Sequence, residues 1–245
     1  MRAYMTSNLG DRPISSGGSS RGGAREFDDA TDDIYGYEKQ LEAATPYVQR
    51  ATELGVVGAG LELEVKTLVI MSGLVYGRGT GAFNRSSIQI PVYVRAALAA
   101  GRAVVVGQGS GEWDHAHVED LAELYRIVLE DILQSGGRKL PTGKQGIVFS
   151  GNARHTWREV ARGVGDAYLA AGRIKDNTVK SVGLEEGAKL FNIGVEDASA
   201  VELGLCSNSR TVSTIARDPG WKPIKGQGGW SKGFRDDIDT ILVQI

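Results

Sequence analysis

The chain has 245 residues, 24% of them charged, and a net charge of −2. That length suits one α/β domain with a large core, or one and a fraction. The near-neutral balance leaves no electrostatic footprint for nucleic acid and no basic face for a membrane surface. Cys206 is the only cysteine, which excludes an intrachain disulfide and favours a reducing compartment. No apolar run approaches the roughly 18 residues of a membrane span. The stretch from Met1 to Leu9 is too short and polar for a signal peptide, so a cytoplasmic protein is expected.

Ala3 to Ser7 reads as the end of a strand. Ser15 to Gly23, four serines, four glycines and one arginine, cannot bury apolar surface and predicts a flexible loop, taken over 10–33 with the acidic, solvated Asp28 to Asp33. Tyr37 to Leu54 is helical in pattern, split by Thr45-Pro46. One helix ends near Ala44 and another begins at Pro46, since proline suits the first helical position. Gly55, Gly58 and Gly60 close it. Lys66 to Met71 lacks alternation and predicts a strand buried on both faces, as in a parallel sheet.

A glycine-punctuated loop follows, Val75 to Arg85, then a helix over Pro91 to Ala100 and a strand over Ala103 to Val106. Gly107 to Leu121 reads as a loop leading into a helix that runs to about Leu133. Leu121, Leu124, Tyr125, Val128 and Ile132 form its core-facing stripe. Glu119, Asp120 and Glu123 complement its dipole, and Gly136-Gly137 ends it. Gly146 to Ser150 is a short strand. Thr156 to Ala171, Leu184 to Phe191 and Thr211 to Arg217 are helices. Gly229 to Leu242 is a terminal helix with Trp230, Phe234, Ile238 and Ile241 on one face. The strand–loop–helix alternation is that of an α/β protein.

Three anchors carry a family resemblance. Val75-Tyr76-Gly77-Arg78-Gly79 resembles the "VYGPG" loop of extended short-chain dehydrogenases/reductases, the NAD-dependent epimerase/dehydratase group. Gly107-Gln108-Gly109, Trp113-Asp114-His115 and His117-Val118-Glu119-Asp120-Leu121-Ala122 resemble the family segment G-D-G-x-x-x-R-D-F-x-H-V-x-D-x-A. Gly220-Trp221-Lys222-Pro223 resembles its closing "LGWKP". The resemblance implies a Rossmann-like parallel sheet whose first strands are missing, over 1–150, and a small intertwined substrate lobe over 151–245. It also implies NAD or NADP as cofactor, a hydroxyl-bearing small molecule as substrate, and a possible homodimer. The family's strand-to-helix glycine motif, which holds the pyrophosphate, has no counterpart here. The chain therefore corresponds to the later part of a family member, and this implies weak nicotinamide dinucleotide binding. A non-catalytic remnant or scaffold, or an incomplete translation of a longer gene, are the alternatives.

The resemblance also nominates residues. Ser7 falls at the catalytic serine or threonine. For the catalytic Tyr-x-x-x-Lys, two registers compete. Tyr35 has Lys39 at the right spacing, whereas Tyr47 lies at the right distance before the sheet strand but has Ala51 in the lysine's place and Arg50 one residue earlier; Tyr47 is preferred. Ser72-Gly73 follows the strand and would contact the cofactor, while Asn84 and Arg85 would contact substrate. Trp113 stands where nucleotide-sugar enzymes of the family use an arginine for a diphosphate, which argues against a UDP-sugar. His115 and His117 alternate, with Asp120 near; too few ligands converge for a metal, and His117 is read as a structural hydrogen-bonding residue. Trp157, Trp221 and Trp230 are read as packing residues.

Overall fold

The computed structural model of the protein describes residues 25–83, 85–192 and 198–242. The described chain opens with β1 (Glu26–Asp28) and a turn into α1 (Ile34–Ala44), whose N-cap Asp33 accepts from the Gly36 N–H at 2.9 Å. The break at proline is present, but α2 (Val48–Glu62) starts two residues later than Pro46, with Tyr47 extended as its N-cap. Gly55, Gly58 and Gly60 do not end α2; it runs on to Glu62. Gly60 is there because Thr67 and the Val65 carbonyl press on the helix. A Cβ at Gly60 would lie 2.4 Å from Thr67 Cγ2.

β2 (Val69–Met71) turns directly into β3 (Leu74–Tyr76), so the glycine loop begins only at Gly77. α3 (Gln89–Ala100) and β4 (Val104–Val106) follow as expected. The stretch read as a loop contains β5 (Glu112–His117), which leads without a linker into α4 (Val118–Ser135). His117 caps α4, its Nδ1 accepting from the Glu119 N–H at 3.1 Å, which is the structural role expected of it. Gly136 closes α4 in the left-handed region. The expected stripe of α4 is only partly buried. Leu124 and Val128 are inside, but Tyr125 and Ile132 are 41% and 47% exposed.

β6 (Ile147–Phe149) and β7 (Ala153–Thr156) come next, then α5 (Trp157–Ala170), begun by a capping box between Thr156 and Glu159. β8 (Lys180–Val182), α6 (Leu184–Phe191) and α7 (Ala198–Leu205) build the following segment. Thr211 to Arg217 is not one helix. β9 (Arg210–Val212) takes its first half, and the single turn α8 (Thr214–Arg217) the second. α9 (Gln227–Leu242) ends the described chain with Trp230, Phe234, Ile238 and Ile241 all buried.

The architecture is Rossmann-like α/β with an incomplete sheet. β2 pairs with β6 in parallel, Val69 opposite Ile147, and the connection between them carries α3 and α4. β3 pairs with β5 in parallel, and β5 with β7 antiparallel; β4–β8 and β1–β9 are parallel pairs. Both faces of β2–β6 are covered, which explains its unalternating sequence. Met71, Ile147 and Phe149 pack with Phe27, Ile34 and Val57 on the α1–α2 side. Ile70 and Val148 pack with Leu124, Val128 and Trp221 on the α4 side. A larger aromatic cluster joins α3, α5, α6 and α9 through Tyr93, Trp157, Phe191 and Trp230. Among the described residues no helix is long and apolar enough to cross a membrane.

Candidate functional site

The parallel strands β2 and β6 end side by side, with the Ser150 N–H donating to the Met71 carbonyl at 3.2 Å. This is the edge of an α/β sheet where ligands are held. Ser72 and Gly73 make the turn there, and Ser72 is buried. A Cβ on Gly73 would lie 2.1 Å from the Asp114 carbonyl oxygen, so only glycine lets β2 turn this closely against β5.

Asp114 sits 4% exposed at the floor of a cleft of about 440 Å³. Its carboxylate accepts from Arg154 Nε at 2.8 Å, from the Thr211 hydroxyl at 2.8 Å and from the Thr211 N–H. Burial pushes this carboxyl up, and those donors pull it back. Arg154 reaches on to Glu26, so β5, β7, β9 and β1 are tied through one ion-pair network. Arg217 also lines the cleft. Its guanidinium lies 4.6 Å over the Trp221 ring and donates to Asn152 Oδ1 at 3.2 Å. None of these cleft residues was nominated by sequence. Glu112 to His117 carries no strict alternation that would mark it as a strand, and its neighbours are brought in only by pairing.

Behind the cleft, His115 Nδ1 lies 3.0 Å from His155 Nδ1, and both rings are almost fully buried. Trp230 stacks on His115 at 4.0 Å, and Tyr76 meets it edge-on. Burial holds His115 down at about 4 and pushes His155 well below the ordinary imidazole range, so both are neutral near pH 7 and their bond is imidazole to imidazole.

The nominated residues are spread out. Tyr47 has its ring beside the buried Arg50 at 5.7 Å, and burial pushes its phenol up to about 12, with Arg50 opposing. That environment keeps the phenol protonated. Tyr35 and Tyr37 pack against the Met71 and Phe149 cluster. Lys39 is exposed, and the cation beside the Tyr35 ring is Lys144 Nζ, at 5.7 Å. Arg85 is exposed, and its Nε donates to the Gly81 carbonyl at 2.7 Å, closing its own loop. Ser7 and Asn84 lie outside the described residues, as does most of the stretch read as a flexible loop. Of that stretch, Asp29 is described and buried rather than solvated. It accepts from the Thr214 and Ile215 N–H groups at 2.8 and 2.9 Å and caps α8. Trp113 is fully buried and its indole N–H donates to the Ser207 hydroxyl at 3.3 Å, so it offers nothing to a diphosphate.

A dinucleotide's diphosphate needs open N–H groups at a helix start. Among the described strand-to-helix turns, α1 is capped by Asp33, α4 by His117, α5 by Thr156 and α8 by Asp29, and α6 carries Glu185 and Glu186 in its first turn, while α3, entered from the loop after β3, has no side-chain cap. The capped and acidic turns do not suit the diphosphate of NAD or NADP.

Residues 25–139 match the model of the NAD dependent epimerase/dehydratase family. The chain is 26% identical over 206 residues to the oxidase UcsJ of Acremonium sp., a match covering 80% of this chain and 57% of that protein. Over 80 residues it is 39% identical to an uncharacterised protein of Saccharomyces cerevisiae, covering 33% of this chain and 24% of the relative. It thus spans little more than half the length of the longer-matching curated relative. Among solved structures it resembles a UDP-N-acetylglucosamine 4-epimerase from Methanobrevibacter ruminantium, in complex with UDP-N-acetylmuramic acid. That likeness has a TM-score of 0.52 at 16% identity and covers 82% of this chain and 54% of that one. The epimerase Mth375 of Methanothermobacter thermautotrophicus gives a TM-score of 0.52 at 14% identity, covering 82% and 52%. These likenesses establish the fold, and the match to the NAD dependent epimerase/dehydratase family model runs from β1 to just past α4, a little under half of the chain.

Proposed function

We propose that the protein acts on a hydroxyl group of a small molecule as an NAD(P)-linked oxidoreductase or epimerase-like protein of the cytoplasm. The observation that carries this reading is the Ser72–Gly73 turn at the carboxyl end of a parallel strand, pressed against the Asp114 floor of the cleft. In this reading Ser72 and Gly73 face the cofactor, Arg85 and Asn84 the substrate, and Tyr47 and Ser7 exchange a proton with the hydroxyl. With its phenol pushed up to about 12, Tyr47 stays protonated near neutral pH but is a weaker acid than a free tyrosine, which counts against this role. When bound, the nicotinamide would supply the hydride acceptor.

A second reading, a non-catalytic binding protein of the same fold, is favoured by the capped helix starts described above. One assay separates the two. The protein is incubated with NAD or NADP and a panel of hydroxy acids and sugar alcohols, and reduced nicotinamide is followed by absorbance. The first reading expects turnover that falls by about 10²–10⁴ in Tyr47→Phe and stays within a few-fold in Tyr35→Phe. The reverse pattern would place the proton donor at Tyr35, next to the sheet. No reduction with any pair supports the binding protein.

A further inference from the structure

The cleft above Asp114 carries a more specific chemical signature than its position alone. Its wall of hydroxyls is already committed as donors. Thr211 Oγ1 donates to Asp114, Ser213 Oγ to the Gly151 carbonyl at 2.9 Å, and Thr214 Oγ1 to Asp28 Oδ2 at 2.9 Å. A hydroxyl has one proton and two lone pairs, so each of these oxygens is left as an acceptor. A ligand lying along this wall must therefore bring donors of its own, as a polyol segment does.

Among the described side chains lining the cleft, the strong donor left open is Arg217. It spends a single Nη2 bond on Asn152, and its other N–H groups have no protein partner among the described residues. It is also held in place. Trp221, fully buried, stacks beneath the guanidinium, and Asn152 is fixed in turn by bonds to the His115 and Lys225 carbonyls. A guanidinium fixed on one face and one edge presents its remaining fork to a planar anion at little entropic cost. The other charges of the cleft do not compete for it. Arg154 and Asp114 neutralise each other, and Asp218 is exposed, where solvent screens it.

We propose that this cleft binds a small hydroxylated anion, with Arg217 gripping the anionic group and the oxygens of Thr211, Ser213 and Thr214 accepting from the ligand's hydroxyls. A volume of about 440 Å³ suits a molecule of metabolite size. The site stands independently of the redox reading, because it needs neither nicotinamide nor turnover.

Isothermal titration at pH 7 tests it with three probes: L-tartrate, sn-glycerol 3-phosphate and succinate. The first two separate a carboxylate from a phosphate as the anionic group; succinate carries the charge without hydroxyls. Binding of tartrate or glycerol 3-phosphate with a Kd of about 1 mM or tighter, at least several-fold tighter than succinate, is expected. Arg217→Met, which keeps contact with Trp221, should weaken it at least tenfold, and Arg217→Lys should fall between. Arg158→Met, an exposed arginine outside the cleft, should leave it unchanged. Should Arg217→Met not fold by its thermal melt, Ser213→Ala supplies the same test through a lost acceptor, with an expected several-fold loss. The proposal fails if neither hydroxylated anion binds, if succinate binds as well as tartrate and glycerol 3-phosphate do, or if the folded Arg217 and Ser213 variants bind within twofold of the parent.

Discussion

Asp114 ties the sheet pieces together at the residue scale. It receives two charged N–H bonds from Arg154 and two bonds from Thr211 while almost fully buried. Asp114→Ala would leave a half-buried guanidinium short of its partner, and a loss of about 2–4 kcal/mol is expected in denaturant unfolding. Arg154→Ala removes the complementary half and should cost a similar amount, the pair summing to less than the two singles. The His115–His155 pair gives a second prediction. Both folded values lie below the free value of about 6.5, so the unfolded chain binds more protons as pH falls. Their contribution is intact above pH 6.5 and is lost progressively from there towards about 4. Asp29 and Asp237, pushed up to about 6 by burial, act with the opposite sign over the lower part of this window. The comparison with His155→Phe removes that common term. Between pH 7 and 5 the parent should lose about 1–2 kcal/mol relative to the variant, and parallel stability–pH curves would show that the pair does not titrate with folding.

At the element scale, α2 is a helix with three glycines in its interior, and the reasons differ along its length. Gly55 is exposed and a Cβ there meets nothing within 4 Å. Gly55→Ala should therefore raise stability by about 0.5–1 kcal/mol by reducing the freedom of the unfolded chain. Gly60 is buried against Thr67 and the Val65 backbone, and Gly60→Ala should cost about 1–3 kcal/mol from overpacking. A pair of thermal melts decides it: opposite shifts are expected, and shifts of one sign would mean the contacts at Gly60 yield. The helix break before α2 belongs to the same scale. Thr45-Pro46 was legible because proline has a fixed backbone and no N–H. The helix's far end was misread because glycine's low propensity counts for less than the packing of Val57 onto Met71 and Ile147.

At the scale of the whole molecule, the covered and uncovered surfaces are unevenly divided. β2 pairs only with β6 among the described residues, leaving its other edge open. Beside it, α4 exposes Tyr125, Leu129, Ile132 and Leu133 at one face, and the end of α2 exposes Leu61, Leu63 and Val65. The two ends meet where Lys66 Nζ donates to the Gly136 carbonyl at 3.4 Å. An open strand edge flanked by apolar side chains favours association. Light scattering across concentration should show mass above the monomer, and Leu129→Glu with Leu133→Glu should lower it. A monodisperse monomer for the parent at high concentration would contradict this.

The sequence by itself determined the α/β class, most helices and the three family anchors. Those features rest on local properties: 3.6-residue periodicity, caps, proline and glycine chemistry. The strand over Glu112 to His117 was missed because three glycines introduce it and histidines occupy it, and its pairing partners lie far away at Leu74–Tyr76 and Ala153–Thr156. Thr211 to Val212 looked helical until β1 offered an edge. The cleft was invisible for the same reason. Asp114, Arg154, Thr211 and Arg217 lie up to about a hundred residues apart, joined only when β5, β7 and β9 assemble. No local pattern encodes a long-range ion pair, because each partner taken alone reads as one more solvated charge; only the tertiary structure decides which charges are buried together.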